Sequence, residues 1–238
     1  MQSALRLLFP PQCIACGEPT VSDFGLCGTC WRKTPFISGL VCDRCGMPLP
    51  GEEEGRAEYC DDCLTLARPW VQGRSALLYR DNARNLVLAL KHGDRLELAR
   101  PAGLWLLRAA RPILREGMLV APVPLHWTRL VRRRFNQSAV LSKALAREAG
   151  LDHCPDLLLR VRQTPSQDGR NREERFANVA GAIRVHPRRG HRIAGRDVLL
   201  VDDVMTSGAT LAAAADACLA AGAESVSVVT LARVAKDA

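Results

Sequence analysis

Eight cysteines in the first 63 residues form four Cys-x-x-Cys pairs: Cys13/Cys16, Cys27/Cys30, Cys42/Cys45 and Cys60/Cys63. Two thiolates at this spacing sit on one tight turn and chelate one ion, and two such turns supply the four sulfurs of a tetrahedral Zn2+ site. Gly17 and Gly46 follow the second cysteine of their pairs, where a glycine lets the turn close without a Cβ clash. Ten residues separate the first two pairs and 14 the last two, room for a short hairpin in each loop. The spacing therefore fits two consecutive zinc ribbons; a cross-brace built from alternate pairs is the other arrangement it allows. A lone Cys-x-x-Cys is often a redox motif or chance, but four of them within 51 residues argue for metal. The stretch holds too few apolar residues to fold without an ion, so one or two structural Zn2+ are expected. Cys154 and Cys218 stand alone and read as core cysteines.

The second constellation is Val198 to Leu211, VLLVDDVMTSGATL. Its four apolar residues predict a buried strand. Asp202 and Asp203 then arrive at the carboxyl end, where open α/β sheets place their ligands. Val204 and Met205 lead into Thr206, Ser207, Gly208, Ala209 and Thr210, a loop of small hydroxylated residues that runs into a helix. Backbone N–H groups at such a helix start grip a phosphate, with the Thr206, Ser207 and Thr210 hydroxyls as further donors. The two carboxylates suit ribose hydroxyls, or a bound Mg2+ that prefers carboxylate and substrate oxygens.

The elements that must position these residues follow from periodicity. Cysteine density stops at Cys63, and a joint, LTLARPW, precedes the alternating pattern GRSALLYR. The boundary falls between residues 66 and 72, dividing a cysteine module (1–68) from a larger domain (69–238). Beyond it come a helix with the stripe NARNLVLALK, a longer helical stretch from Leu96 to Leu114, the strand-like run MLVAPVP, and a helix from Gln137 to Ala149 stopped by Gly150. Residues 164–178 are polar and basic, and predict a mobile loop or short exposed helix. RDVLLVDDV is a strand, ATLAAAADACLAAGA a helix stopped by Gly222, and ESVSVVTLARV a last strand. Strands alternating with helices make an α/β fold with a mostly parallel sheet flanked by helices.

Composition narrows the classes further. The 238 residues are 47% hydrophobic and 24% charged, with a mean hydropathy of -0.04, so the chain can bury a core without lipid. No apolar run approaches the roughly 20 residues of a membrane span, and the start MQSALRLLFPPQC lacks a small-residue cleavage site. Thiolate sites without a secretion signal place the chain in a reducing compartment, the cytoplasm. Charge is unevenly spread: residues 1–72 carry 6 Lys+Arg against 9 Asp+Glu, and residues 73–238 carry 27 against 16. The larger part, at +11, would attract phosphates or nucleic acid.

The strand, acid pair and Thr/Ser/Gly loop, in that order, resemble the 5-phosphoribosyl-1-pyrophosphate (PRPP) signature of type I phosphoribosyltransferases. With the four cysteine pairs, nearly the whole chain is similar to the ComF family, in which a double zinc ribbon precedes a phosphoribosyltransferase-like domain. Further matches are Leu90-Lys91-His92-Gly93-Asp94, Pro122-Val123-Pro124, Arg134-Phe135-Asn136-Gln137 and the Gln167/Arg175/Asn178 segment. The family pattern has glycine where Arg134 stands, so a small backbone difference is expected there. The resemblance implies that Asp202 and Asp203 bind the ribose hydroxyls, that Val204 to Thr210 surround the 5′-phosphate, and that PRPP comes with Mg2+. It also suggests Lys91, His92, Gly93 and Arg134 near the pyrophosphate. Arg172 and Arg175 lie in a segment suited to a lid over the site. It implies as a second role the cytoplasmic handling of single-stranded DNA in natural competence, with competence or helicase proteins as partners. Arg132, Arg133 and Arg134, with Trp127 and Phe135 as stacking residues, would serve that role.

Overall fold

Runs of Val, Leu and Ala bounded by charge or glycine form the strands, and the computed structural model, which describes residues 10–92, 95–164 and 171–235, assembles five of them into one parallel sheet. These are β1 (Gln72–Leu78), β2 (Leu119–Pro122), β3 (Asp152–His153), β6 (Asp197–Met205) and β7 (Ser225–Arg233), in the order β1-β7-β6-β2-β3. A separate antiparallel hairpin, β4 (Leu158–Arg160) with β5 (Ile183–Val185), stands beside the sheet. Gly93 and Gln167, and the side chains of His92 and Arg132, lie outside the described residues.

The helices are α1 (Gly28–Arg32), α2 (Asp61–Thr65), α3 (Asp81–His92), α4 (Ala99–Ala110), α5 (Trp127–Arg133), α6 (Gln137–Ala149), α7 (Arg172–Val179) and α8 (Ala209–Ala220). The helical stretch expected from Leu96 to Leu114 is α4 with a 3-10 turn at each end. α6 has the expected bounds, with Asn136 as N-cap and Gly150 in the left-handed C-cap conformation. In the polar segment, Asn171 and Glu174 make a reciprocal capping box that starts α7, so short-range side-chain bonds supply what apolar periodicity lacks.

The apolar side chains divide into two layers, one on each face of the sheet. One holds Leu86, Val87, Leu90, Leu106, Leu141 and Leu145 from α3, α4 and α6 against Leu199, Val201 and Val229. The other holds Leu211, Ala214, Ala215 and Cys218 of α8 against Val198, Leu200 and Val228, together with Cys42, Cys45 and Trp70. The second cysteine cluster is therefore part of the same core as the helix that follows the Thr/Ser loop.

The two ribbons pack differently. Residues 43–46 lie along β1: the Gly73 amide donates to the Asp43 carbonyl at 2.9 Å, and Arg74 bonds the Asp43 carboxylate at 2.8 Å. The approach is close enough to demand glycine on both sides. A Cβ on Gly46 would stand 2.6 Å from the Ser75 nitrogen, and one on Gly73 would stand 2.5 Å from the Arg44 carbonyl. Covering β1 in this way also protects an edge strand from pairing elsewhere. The first ribbon reaches α3 through Asn82, which donates to Thr34 Oγ1 at 2.8 Å. Among the described residues no helix is long and apolar enough to cross a membrane.

Candidate functional site

β6 does not stop at the acid pair. It stays in register with β7 through Asp202 opposite Thr230 and on to Met205 opposite Arg233, so the carboxylates sit within a paired strand and not beyond its end. That pairing fixes their backbone. The loop proper is Thr206 to Gly208, and Gly208 takes φ +82° before α8 begins at Ala209. Asp202, Val204, Met205 and the residues from Thr206 to Leu211 line one small concavity. The Ser207 and Gly208 amides have no acceptor among the described residues, leaving two donors at the start of α8 for an anion.

Both carboxylates are held by residues distant in sequence. Ser138 Oγ, in the first turn of α6, donates to Asp202 Oδ1 at 2.8 Å, and the Asp203 amide donates to the same oxygen at 2.9 Å. Burial, followed by the charge of Asp203, pushes the Asp202 carboxyl up to about 7. Lys91, near the end of α3, forms a sheltered ion pair with Asp203 at 3.1 Å. The Arg134-Phe135-Asn136-Gln137 run acts as the clamp between these elements. Asn136 caps α6 by accepting from the Ser138 amide and donates to the Val123 carbonyl after β2 at 3.0 Å. Gln137 donates to the Lys91 carbonyl at 3.4 Å and accepts from Arg133 at 3.2 Å. The crevice thus lies between the carboxyl ends of β6 and β2, two adjacent strands.

Arg134 adopts φ +67°, the left-handed conformation that glycine takes freely. Position 134 therefore holds a backbone conformation suited to the glycine of the family pattern. Arg175 is on α7 with a buried Nε that has no partner among the described residues. Arg172 forms an ion pair with Asp62 of the second ribbon at 2.5 Å. Gly93 and the His92 side chain fall outside the described residues.

Three contributors were not singled out by the sequence. Ser138 is a helix residue whose partner is 64 positions away. Arg160, at the end of β4, is desolvated by burial and feels the charges of Arg129 and Asp202; its Nε is buried without a partner among the described residues and its Nη2 bonds Thr164 Oγ1. Arg68, in the joint between the ribbons and the sheet, donates to the Ser207 carbonyl at 2.7 Å. None carries a local signal, because each acts through a contact that only the tertiary fold creates.

The cysteines gather as two clusters in chain order, Cys13/Cys16/Cys27/Cys30 and Cys42/Cys45/Cys60/Cys63, with the sulfurs of each within 4.8 Å of one another. This excludes the cross-brace. Cys16 and Cys27 sulfurs are 3.7 Å apart and those of Cys45 and Cys60 3.6 Å, close to the roughly 3.8 Å edge of a tetrahedron with 2.3 Å Zn–S arms. All are free thiols. The donor set and spacing fit zinc in both clusters.

Comparison with known proteins agrees with this architecture. Residues 4–64 match the double zinc ribbon domain and residues 136–238 the phosphoribosyl transferase domain. The DNA utilization protein YhgH of Salmonella typhi is 32% identical over 95% of this chain and 99% of its own length. The chain belongs to the ComF family. Other ComF relatives include Competence protein F of Haemophilus influenzae, 28% identical over 93% of this chain and 96% of its own length. Competence protein ComFC of Bacillus subtilis is 28% identical, over 89% and 85%. This ComF chain therefore combines a type I phosphoribosyltransferase-like fold with two tetracysteine clusters.

Proposed function

We propose that the crevice between β6 and β2 binds PRPP. The 5′-phosphate is received by the Ser207 and Gly208 amides and the hydroxyls of Thr206, Ser207 and Thr210, and the ribose hydroxyls by Asp202 and Asp203. The observation that carries the reading is the pairing of unbonded loop amides with two sheltered carboxylates on the adjoining strand. A dianionic phosphate needs several donors at once, and ribose hydroxyls need acceptors beside it. Lys91, Arg160 and Arg175 supply the positive charge that a pyrophosphate requires. Mg2+ fits the same place through its preference for carboxylate and phosphate oxygens, and when bound it screens the leaving pyrophosphate.

The chemistry such a crevice supports is phosphoribosyl transfer. The C1–O bond to pyrophosphate breaks with its electron pair leaving on oxygen, and an acceptor nucleophile forms the new bond to C1. Lys91 and the arginines stabilise the departing charge.

Calorimetric titration with PRPP and Mg2+ tests the site. Wild-type protein is expected to bind, and the folded Asp202→Asn/Asp203→Asn variant to lose about tenfold or more in affinity, each lost charge-assisted hydrogen bond contributing on the order of 1.5–3 kcal/mol. Undiminished affinity in the variant would remove the acid pair from the site.

A second reading, handling of single-stranded DNA, rests on the names of the relatives, a DNA utilization protein and two competence proteins, and on the surface of α5. There Trp127 is 67% and Val131 73% exposed beside Arg133 and Arg134, a stacking ring on a cationic surface. A single-stranded oligonucleotide is expected to bind with an affinity that falls steeply between low and moderate salt. A Trp127→Ala/Arg133→Ala variant with unchanged affinity and salt slope would take α5 out of that role.

A further inference from the structure

Two arginines lie buried directly behind the Thr206–Gly208 loop, on the side away from the crevice. Arg68 is 6% exposed and Arg233 1%. Arg68 Nη1 donates to the Ser207 carbonyl at 2.7 Å and Arg233 Nη1 to the Thr206 carbonyl at 3.4 Å. Each keeps a buried Nε with no hydrogen-bond partner, and neither forms an ion pair with a carboxylate among the described residues. Two buried cations without counter-charge would be strongly destabilising.

Both arginines back onto the second cysteine cluster. Arg44, between Cys42 and Cys45, donates to the Arg68 carbonyl at 3.4 Å, and Met205, the strand partner of Arg233, packs in the same core layer as Cys42 and Cys45. Arg68 also stacks over Trp70 at 5.3 Å, and the Trp70 indole donates to the Arg44 carbonyl at 2.5 Å, between Cys42 and Cys45. Four thiolates around Zn2+ carry a net charge of about -2, which balances two guanidinium groups. Among the described residues the first cluster shares none of these bonds.

The peptide geometry gives the arrangement its consequence. In a trans peptide the C=O and the following N–H point in opposite directions. Fixing the Thr206 and Ser207 carbonyls from behind therefore aims the Ser207 and Gly208 amides into the crevice. Gly208 completes the fit: a Cβ there would stand 2.8 Å from Arg68 Nη1 and 3.1 Å from the Trp70 ring.

We infer that Arg68 and Arg233 are positioning residues that bracket the anion-binding loop against the Cys42/Cys45/Cys60/Cys63 zinc centre, so that zinc at this centre and phosphate in the loop stabilise each other. The inference rests on the phosphate reading of the loop and adds its linkage to one of the two ribbons. Linkage is reciprocal: ligand in the loop must slow zinc loss from the second cluster as surely as zinc supports the ligand. The first cluster is the internal control.

The test uses the full-length zinc-loaded protein with ribose 5-phosphate as probe, and three readouts. Arg68→Met is expected to weaken binding about tenfold, within the usual range of coupling between sites, and to speed amide exchange across residues 206–210 even without ligand. Arg68→Lys, which keeps the charge but loses the fork, is expected to fall between the two. In wild-type protein treated with a chelator, ribose 5-phosphate is expected to slow alkylation of Cys60 and Cys63 severalfold and leave Cys13 and Cys16 unchanged. Binding within twofold of wild type in Arg68→Met, with loop exchange unaltered, would overturn the bracket and leave the phosphate site standing. Wild-type protein that takes up neither ribose 5-phosphate nor PRPP would overturn the phosphate reading instead, and loop exchange in Arg68→Met then decides the bracket alone.

Discussion

Asp202 keeps its place in the proposed site at the expense of stability. Its carboxyl, raised from 3.8 to about 7 by burial and by the Asp203 charge, binds a proton more tightly in the folded than in the unfolded chain. Stability therefore falls as pH rises from about 4 to 7 and stays reduced above that window. Asparagine keeps an oxygen to accept from Ser138 and from the Asp203 amide but never ionises. Asp202→Asn is expected to be more stable than wild type at pH 8 by roughly 1–4 kcal/mol, with the difference closing near pH 4. Thermal melts of the two proteins at pH 4.5 and pH 8 check this, and a less stable variant at pH 8 would contradict it. The acid pair itself was legible, because two adjacent carboxylates between an apolar strand and a Thr/Ser/Gly loop form a local pattern. Ser138, Arg160 and Arg68 were not, since their partners lie far along the chain and nothing in their neighbours marks them.

At the scale of elements, the two ribbons look alike in sequence and differ in what they support. Cys-x-x-Cys spacing and loop length pointed to two consecutive ribbons with a cross-brace left open, and the sulfur geometry pairs the cysteines in chain order. Spacing could not say that residues 43–46 would lie along β1, because that contact depends on Gly46 closing on Arg74 and Ser75 and on Gly73 closing on Arg44, far apart in sequence. Nor could it place Arg172 on Asp62, a bond that ties α7 to the second ribbon. Purified protein is expected to carry close to two zinc ions. Cys45→Ser should lower the melting temperature more than Cys16→Ser, since Cys45 is fully buried in the sheet core and Cys16 is exposed. Elemental analysis with thermal melts tests both statements; equal losses from the two substitutions would show that the ribbons are energetically equivalent.

For the whole molecule, the strand and helix alternation predicted the parallel sheet correctly, with the Gln137–Ala149 helix at its observed limits. What periodicity could not supply was strand order. β7 inserts between β1 and β6, and this insertion brings Arg233 behind the loop while β2 stays on the crevice side of β6. The acidic cysteine module and the strongly basic remainder therefore meet across a shared core and not across a flexible tether. The second tetracysteine centre and the anion loop face opposite sides of the same few residues.

That arrangement makes the location of bound PRPP the most direct question. Hydrogen exchange of the full-length protein, with and without saturating PRPP and Mg2+, answers it residue by residue. Protection is expected over residues 203–211, with a weaker effect at the end of α3 around Lys91 and at the start of α6 around Ser138. Measurable PRPP binding with no protection in the 203–211 segment would contradict the assignment of the crevice.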